Sequence, residues 1–220
     1  MSATNIDQAR FNMIEQQIRP WDVLNHDVLD LLSVVKREDF VPAAYKSLAF
    51  ADLEIPLPEG QCMLAPKVEA RLLQDLAIEP QHRVLEIGAG SGFMAALLAH
   101  RAQIVLSWEI RPVLAEMARN NLLKAGIRNA EVRLGDGAKI PLAEGSFDLI
   151  LISGSVAQIP HALLDRLNTG GRLLAIVGHE PVMHATRVSK SGTADYHTRQ
   201  LWDTVAARMD NFPEPSEFRF

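Results

Sequence analysis

The chain has 220 residues, 48% of them apolar and 22% charged, with a formal net charge of −5 and a single cysteine, Cys62. This balance is typical of a globular domain with a hydrophobic core. The single cysteine excludes an intrachain disulfide, and the negative net charge argues against the clustered basic surface of a generic nucleic-acid binder. The N-terminal stretch has charges where a signal peptide needs an apolar segment, and no apolar run approaches the length of a membrane span. We therefore expect a cytoplasmic protein without nucleic-acid or membrane partners.

The first third of the chain is predicted to be mostly helical. Apolar residues at helical spacing predict a first helix that Pro20 closes, and the same spacing predicts helices over residues 27–36 and 68–77. Residues 40–61, between the last two helices, are rich in proline and predict mostly loop.

From Arg83 onward, predicted strands alternate with predicted helices. This alternation predicts an α/β fold: a Rossmann-like, doubly wound, mostly parallel seven-stranded sheet with helices on both faces and an N-terminal helical cap. After Pro181 the pattern becomes antiparallel and predicts a hairpin at the sheet edge, followed by a tail (211–220) along the surface. The predicted strands before that hairpin are 84–87, 103–109, 131–134, 147–153 and 171–178, and the predicted helices between them are 91–100, 112–125 and 160–167.

The stretch VLEIGAGSGF places three glycines where a strand turns into a helix, so that backbone N–H groups face a ligand above the strand end. The spacing is G-x-G-x-G, whereas the dinucleotide fingerprint G-x-G-x-x-G needs a glycine where this chain has Phe93. Glu86, just before the turn, would repel a pyrophosphate and bind an ammonium group. The motif therefore favours a ligand with positive charge at this end, and its glycines are Gly88, Gly90 and Gly92.

Two further acids lie at the predicted ends of the next two strands. Glu109, followed by Ile110, is placed to accept hydrogen bonds from ribose hydroxyls, as it also would be in a Rossmann dehydrogenase. Asp136, followed by Gly137, is placed to accept a hydrogen bond from an adenine amino group. Three acids in register favour S-adenosylmethionine, whose methionine part carries an ammonium and a sulfonium, with S-adenosylhomocysteine as the product.

Segments outside the glycine turn resemble the protein-L-isoaspartate O-methyltransferase family. MIEQQIRPWDVLNHDVL (13–29) resembles the family's N-terminal helix and the turn after it, and REDFVP, AFAD and EGQ follow in the family's order up to Gln61. Residues 153–178 resemble its fourth and fifth strands and the helix between them. The resemblance covers most of residues 10–180.

The resemblance implies a single methyltransferase domain over residues 1–220. Residues 1–79 would form the N-terminal helical cap and acceptor loop, 80–180 the cofactor-binding core, and 181–220 a C-terminal hairpin and tail. It implies S-adenosylmethionine-dependent methyl transfer to the free α-carboxylate of isoaspartyl residues in damaged proteins. Such a carboxylate, with a pKa of about 4, is ionised at pH 7, so the site has only to place its oxygen in line with the methyl group.

The acceptor loop, here residues 60–64 (GQCML), departs from the family pattern. The family reads G-Q-T-I-S over the methyl group, whereas this chain keeps Gln61 and has Cys62 and Leu64 in place of the two hydroxyl residues. Where the family reads T-A-A-A-P after the fourth strand, Ser153 keeps a hydroxyl and Ser155 adds one. These five residues are the candidates for positioning the substrate, and no catalytic base is assigned.

The lost hydroxyls leave other functions open. A small-molecule methyltransferase on the same scaffold would have a closed apolar cleft around Met63, Leu64 and Val156. A nucleotide-dependent oxidoreductase would bind NAD and ignore S-adenosylhomocysteine, and a non-catalytic binding protein would hold S-adenosylhomocysteine without turnover. No metal site is expected, because the seven histidines show no metal-ligand spacing. Trp21 and Trp108 are expected to be packing residues.

Overall fold

The computed structural model describes residues 3–214, in which seven strands form one sheet in the order β5-β4-β3-β6-β7-β8-β9. Neighbours from β5 to β7 are parallel, and the β7–β8 and β8–β9 pairs are antiparallel. The predicted fold and its edge hairpin are therefore confirmed. The strands are β3 (Arg83–Ile87), β4 (Ile104–Glu109), β5 (Ala130–Leu134), β6 (Phe147–Val156), β7 (Leu167–His179), β8 (Val182–Lys190) and β9 (Tyr196–Asp203), and a separate small hairpin contains β1 (Ile55–Pro56) and β2 (Cys62–Met63).

Five of the described helices cover one face of this sheet. The first continues as a π turn (Ile14–Ile18) and a 3-10 turn (Arg19–Trp21), and the second is capped by the Asn25 side chain, which accepts from two backbone N–H groups of its first turn. The apolar stripes of the second and third pack into the same core as the sheet. These helices are α1 (Ala3–Met13), α2 (His26–Val34), α3 (Pro66–Leu76), α4 (Phe93–Ala99) and α5 (Pro112–Lys124).

The opposite face has a thinner cover. It consists of α6 (His161–Leu164), two 3-10 turns (Gly137–Lys139 and Leu142–Glu144) and the C-terminal segment, whose Phe212 joins the core on this side. The predicted helix over 160–167 is wrong in length, because Leu167 already pairs with Phe147 and begins β7.

The central strands are apolar because both of their faces are covered. Leu149 to Ile152 in β6 are fully buried, with Leu149 and Leu151 in the core of the first face and Ile150 and Ile152 in that of the second. After β3, the chain adds β4 and β5 on one side of that strand and then crosses to add β6 and β7 on its other side. In sheets of this kind, ligands bind outside the carboxyl ends of the strands at such a point.

The C-terminal segment returns to the carboxyl ends of the strands. Of the predicted surface tail (211–220), Asn211 and Glu214 contact Asp136 and His179 at the carboxyl ends of the strands, and 215–220 lie outside the described residues. Within residues 3–214, no helix combines the length and apolar character needed to cross a membrane.

Candidate functional site

The glycine turn ends β3 and begins α4. All three glycines have positive φ angles, +93° at Gly88, +53° at Gly90 and +86° at Gly92, which favours residues without a Cβ. A Cβ on Gly92 would lie 3.1 Å from the backbone of Ala118, so this glycine also allows α4 to approach α5 closely. Gly88 and Gly90 line the crevice above the strand ends, whereas Gly92 serves the packing behind it.

Glu86 lies fully buried beneath this turn. One carboxylate oxygen accepts a hydrogen bond from the Ser107 hydroxyl (2.6 Å) and the other accepts from the Ser153 hydroxyl (3.0 Å). Burial raises the pKa of Glu86 to about 7, although the two hydroxyls oppose this rise and Glu109 adds to it. Ser153 lines the crevice and Glu86 does not. The structure therefore puts a hydroxyl between this carboxylate and the ligand space.

The predicted acids of β4 and β5 both reach the crevice. The Glu109 carboxylate accepts from the backbone N–H of Gly90 (2.9 Å) and of Arg111 (3.0 Å), which leaves each oxygen a further lone pair for a ligand hydroxyl. Asp136 accepts from the N–H of Ala138 through one oxygen (2.9 Å) and from the Asn211 amide through the other (3.1 Å). The structure brings together six of the predicted cofactor residues along one crevice: Gly88, Gly90, Glu109, Ile110, Asp136 and Gly137.

The acceptor loop closes one end of the crevice through the β1–β2 hairpin. Gln61 and Cys62 line the crevice, and the Cys62 thiol donates to the Glu54 carboxylate over 3.4 Å. Burial, with a contribution from Glu54, raises the pKa of this thiol to about 12. Since only the thiolate is a good nucleophile, this shift disfavours Cys62 as a nucleophile at neutral pH.

A second, mostly apolar cavity adjoins the crevice. Leu64 lines it, and Cys62, Gly88, Gly90 and Ser153 are shared by the two cavities. Its other walls are Leu57, Met63, Glu69, Ala89, Ser91, Phe93 and Met94.

A buried ion pair lies beneath this cavity. Arg37 is almost fully buried, pairs with Glu69 and donates to the backbone oxygens of Leu64 (2.8 Å) and Ala49 (3.1 Å). Burial raises the pKa of Glu69 to about 7 against the opposing effect of Arg37. The pair thus ties the acceptor loop to α3 through the Leu64 carbonyl.

Ser155 does not meet the prediction of a hydroxyl in the site. It is fully buried and lines neither cavity, and among the described residues its hydroxyl has no hydrogen-bond partner. Its backbone instead pairs with the C-terminal segment: its N–H donates to the Ala207 oxygen (2.8 Å), and its oxygen accepts from the Met209 N–H (2.9 Å).

Residues 206–212, here called the strap, form a wall of the crevice that sequence reasoning missed. Asp210 pairs with Arg111 (2.8 Å), and a Cβ on Gly88 would lie 2.9 Å from the end of the Met209 side chain. Nothing in the local pattern marks this segment, because its position depends on contacts with distant strands. The strap contributes Arg208, Met209, Asp210 and Phe212 to the lining.

Trp108, expected to be a packing residue, is 8% exposed and also lines the crevice.

The titratable side chains do not form a metal site. Across the described part of the chain, no group of three or more histidine, cysteine, aspartate or glutamate side chains is arranged to hold a metal ion.

Comparisons with known proteins place the chain in one family. A family model described as protein-L-isoaspartate(D-aspartate) O-methyltransferase matches residues 8–205. The chain is 39% identical over 178 residues to a protein-L-isoaspartate O-methyltransferase of Methanoculleus marisnigri, which covers 81% of both chains. It is 38% identical over 198 residues to the protein of that name from Koribacter versatilis, with 90% of this chain and 88% of the relative covered.

Solved structures show the same fold. A Plasmodium falciparum protein-L-isoaspartate O-methyltransferase in complex with S-adenosyl-L-homocysteine superimposes with a TM-score of 0.78 at 18% identity, over 92% of this chain and 97% of that one. Another protein-L-isoaspartate O-methyltransferase gives a TM-score of 0.75 at 21% identity, over 90% of this chain and 65% of that one.

Proposed function

Because this chain belongs to the protein-L-isoaspartate(D-aspartate) O-methyltransferase family, we propose that it transfers a methyl group from S-adenosylmethionine to the free α-carboxylate of isoaspartyl residues. The observation that carries this proposal is the continuous crevice from Glu109 and Asp136, past the glycine turn, to the acceptor loop at Gln61 and Cys62. One end suits a nucleoside and the other adjoins a cavity for an acceptor. Damaged proteins or peptides of the cytoplasm are the proposed substrates.

The side chains at one end of the crevice fit the adenosine part of this cofactor. We assign the ribose hydroxyls to the free lone pairs of Glu109 and the adenine amino group to Asp136, with Ile110 and Gly137 beside the ring. Both carboxylates are already fixed by backbone N–H groups, so little side-chain freedom is lost when a ligand binds.

The methionine part is assigned to the glycine turn. Gly88 and Gly90 allow close approach of a ligand to the backbone, and Ser153 lies between Glu86 and the ligand space. Through that hydroxyl, the Glu86 carboxylate would favour a positively charged group. When bound, the cofactor supplies an electrophilic methyl group on a cationic sulfur.

The chain's own residues have a limited chemical task. An isoaspartyl carboxylate is ionised at neutral pH, so no side chain has to remove a proton from it. The acceptor loop and the strap enclose the reacting end and exclude water, and the protonated thiol of Cys62 does not compete as a nucleophile. Holding the two reactants in line accounts for a large part of the expected acceleration.

The test is methyl-ester formation on a synthetic isoaspartyl peptide with labelled S-adenosylmethionine. The aspartyl peptide of the same sequence is the control, and S-adenosylhomocysteine binding by calorimetry shows that the protein is competent. We expect a base-labile ester on the isoaspartyl peptide alone. No ester above background, with the cofactor product bound, would remove this acceptor and favour the non-catalytic alternative.

The second cavity favours one other candidate, a small-molecule methyltransferase. Met63 and Leu64 line this cavity as expected for an apolar acceptor, whereas Val156 is fully buried in the core and does not. A panel of small apolar carboxylic acids and phenols, each competed against the isoaspartyl peptide, separates the two. Methylation of a panel member with a higher kcat/KM than the peptide would establish this candidate instead.

A further inference from the structure

The crevice presents an electrostatic problem for an anionic acceptor. Glu109, Asp136 and Asp210 line it, and Glu86 lies just beneath. These acids suit a cationic cofactor and repel a carboxylate. A carboxylate acceptor therefore needs a cation or strong donors at its own end of the crevice.

The acceptor loop supplies one such donor, the Gln61 amide, which already donates to the Glu59 backbone oxygen over 3.5 Å. The Cys62 thiol is a weak donor and is directed to the Glu54 carboxylate, and the Leu64 side chain has no polar atom. Among the described residues that line the crevice, the two cations are Arg111 and Arg208.

Arg111 is already engaged at the nucleoside end. Its guanidinium pairs with Asp210 at 2.8 Å and approaches Glu59 at 3.7 Å, and its backbone N–H donates to Glu109. Its charge is therefore already offset by two carboxylates, Asp210 and Glu59, before a ligand binds.

Arg208 lies on the other side of the glycine turn. The proposed nucleoside residues follow β4 and β5, which lie on one side of β3 in the sheet, whereas Arg208 lies over β6 and β7 on the opposite side. It forms a parallel bridge with Ser155 at the end of β6, and its Nη2 donates to the Gly178 oxygen near the end of β7 (2.7 Å). This puts the residue at the end of the crevice away from adenine.

The guanidinium of Arg208 has capacity to bind a carboxylate. Its Nη1 is buried and has no partner among the described residues, and a buried donor without a partner destabilises the structure that contains it. Its Nε already pairs with the carboxylate of Glu214 at 3.1 Å. The side chain of Glu214 is 49% exposed, so this ion pair is partly solvated and contributes little that a ligand carboxylate would have to replace.

We propose that Arg208 is the residue that positions the acceptor carboxylate in this chain, through charge-assisted hydrogen bonds that replace the hydroxyls missing at Cys62 and Leu64. Guanidinium and carboxylate match in geometry, and hydrogen bonds between two charged groups are stronger than those between neutral ones. The inference rests on the proposed function, because it assumes an anionic acceptor.

The experiment compares Arg208→Met and Arg208→Lys with the wild-type protein. Met keeps much of the side-chain length without the charge, and Lys keeps the charge without the fork. We expect Arg208→Met to raise the KM for an isoaspartyl peptide about 10- to 100-fold. Arg208→Lys should give an intermediate value, and the Kd for S-adenosylhomocysteine should stay within about twofold in both. Arg199→Met, on the exposed surface of β9, is the matched control and should change neither value.

Two further readouts separate carboxylate recognition from a structural role of Arg208. The wild-type protein should prefer the isoaspartyl peptide over its α-carboxamide isostere as a competing ligand, and Arg208→Met should lose this preference. Returning the hydroxyls, with Cys62→Thr and Leu64→Ser in the Arg208→Met background, should recover at least about tenfold in KM.

The possible failures are distinguishable. A wild-type protein that forms no ester on the isoaspartyl peptide overturns the proposed function and the inference with it. If the wild-type protein turns over the peptide but Arg208→Met keeps the wild-type KM and the wild-type preference for the carboxylate, the inference alone is overturned. A loss of S-adenosylhomocysteine affinity that parallels the rise in KM in both variants also overturns it, since that pattern shows that Arg208 only holds the strap.

Discussion

Glu109 combines two tasks in one carboxylate. Its oxygens accept from the N–H groups of Gly90 and Arg111, and their remaining lone pairs are the proposed acceptors for ribose. Glu109→Gln removes the charge and turns an amide N–H₂ toward one of those backbone donors. We expect the Kd for S-adenosylhomocysteine to rise about 10- to 100-fold, measured by calorimetry. Glu116→Gln, exposed on α5, is the control, and an unchanged Kd in Glu109→Gln would contradict the assignment.

Glu86 makes the protein's stability depend on pH. Burial raises its pKa to about 7, so the folded protein binds this proton more readily than the unfolded chain does. The stabilisation that comes from protonated Glu86 is therefore fully present below the ordinary pKa of a glutamate, and it is lost as the pH rises through about 7.

Replacing Glu86 with glutamine tests this sign. Glu86→Gln should reduce the fall in Tm between pH 5 and pH 8 by about 4–8 °C. For a chain of this size, that corresponds to roughly 2 kcal/mol in the free energy of unfolding. Glu69, whose pKa is also raised to about 7, should account for part of the slope that remains. Thermal unfolding at several pH values measures the effect, and identical slopes in variant and wild type would disprove it.

The sequence could predict which residues meet at the site but not where each side chain points. Glu109 and Asp136 follow successive parallel strands, whose ends must lie at one edge of the sheet. Ser153 and Ser155 look equivalent by strand alternation, yet only Ser153 lines the crevice. The difference arises from a register shift between Leu151 and Ser155 and from the strap that pairs with Ser155, and neither has a local signal.

At the scale of the elements, the strap is held in place by tertiary contacts. Phe212 is buried in the core of the second face at one end of it, and the Met209 N–H is hydrogen-bonded to Ser155 near the middle. Phe212→Ala removes this apolar anchor, so the strap should open locally more often than the rest of the molecule.

Hydrogen exchange measures that opening directly. In Phe212→Ala we expect the Met209 amide to exchange at least about tenfold faster, since a loss of about 1.4 kcal/mol of local stability is a factor of ten. S-adenosylhomocysteine should bind more weakly as well, because the strap forms a wall of the crevice. Phe11→Ala, at an exposed position of α1, is the control, and equal exchange in both variants would contradict an anchoring role.

Elements with strong apolar periodicity were predictable, and those that depend on distant partners were not. α2 and α3 lie within two residues of the predicted bounds at each end, because their buried stripes fix them. The β1–β2 hairpin falls in a segment predicted to be mostly loop, since strands of two residues leave no periodicity to detect. The strap has a single buried aromatic residue and no repeating pattern, so only its partners define it.

At the scale of the whole molecule, the site is assembled from parts of the chain that are far apart in sequence. The acceptor loop comes from the first third, the glycine turn and Glu109 from the middle, and the strap from the last fifteen residues of the chain. A ligand that contacts all three parts binds only the folded state. It should therefore stabilise the fold as a unit rather than one element of it.

Ligand-induced stabilisation also separates a methyltransferase from the oxidoreductase alternative. At a concentration of 100 times its Kd, S-adenosylhomocysteine should add about 2.7 kcal/mol to the free energy of unfolding, or roughly 5–11 °C in Tm for a chain of this size. NAD at the same concentration should not shift the Tm, because Phe93 occupies the place of the third glycine in a dinucleotide turn and Glu86 lies beneath the position of a pyrophosphate. The measurement is thermal unfolding with each ligand, with adenosine as a control for the shared nucleoside. A larger shift with NAD than with S-adenosylhomocysteine would mean that the crevice recognises a pyrophosphate, and the cofactor assignment at Glu109, Asp136 and the glycine turn would then be wrong.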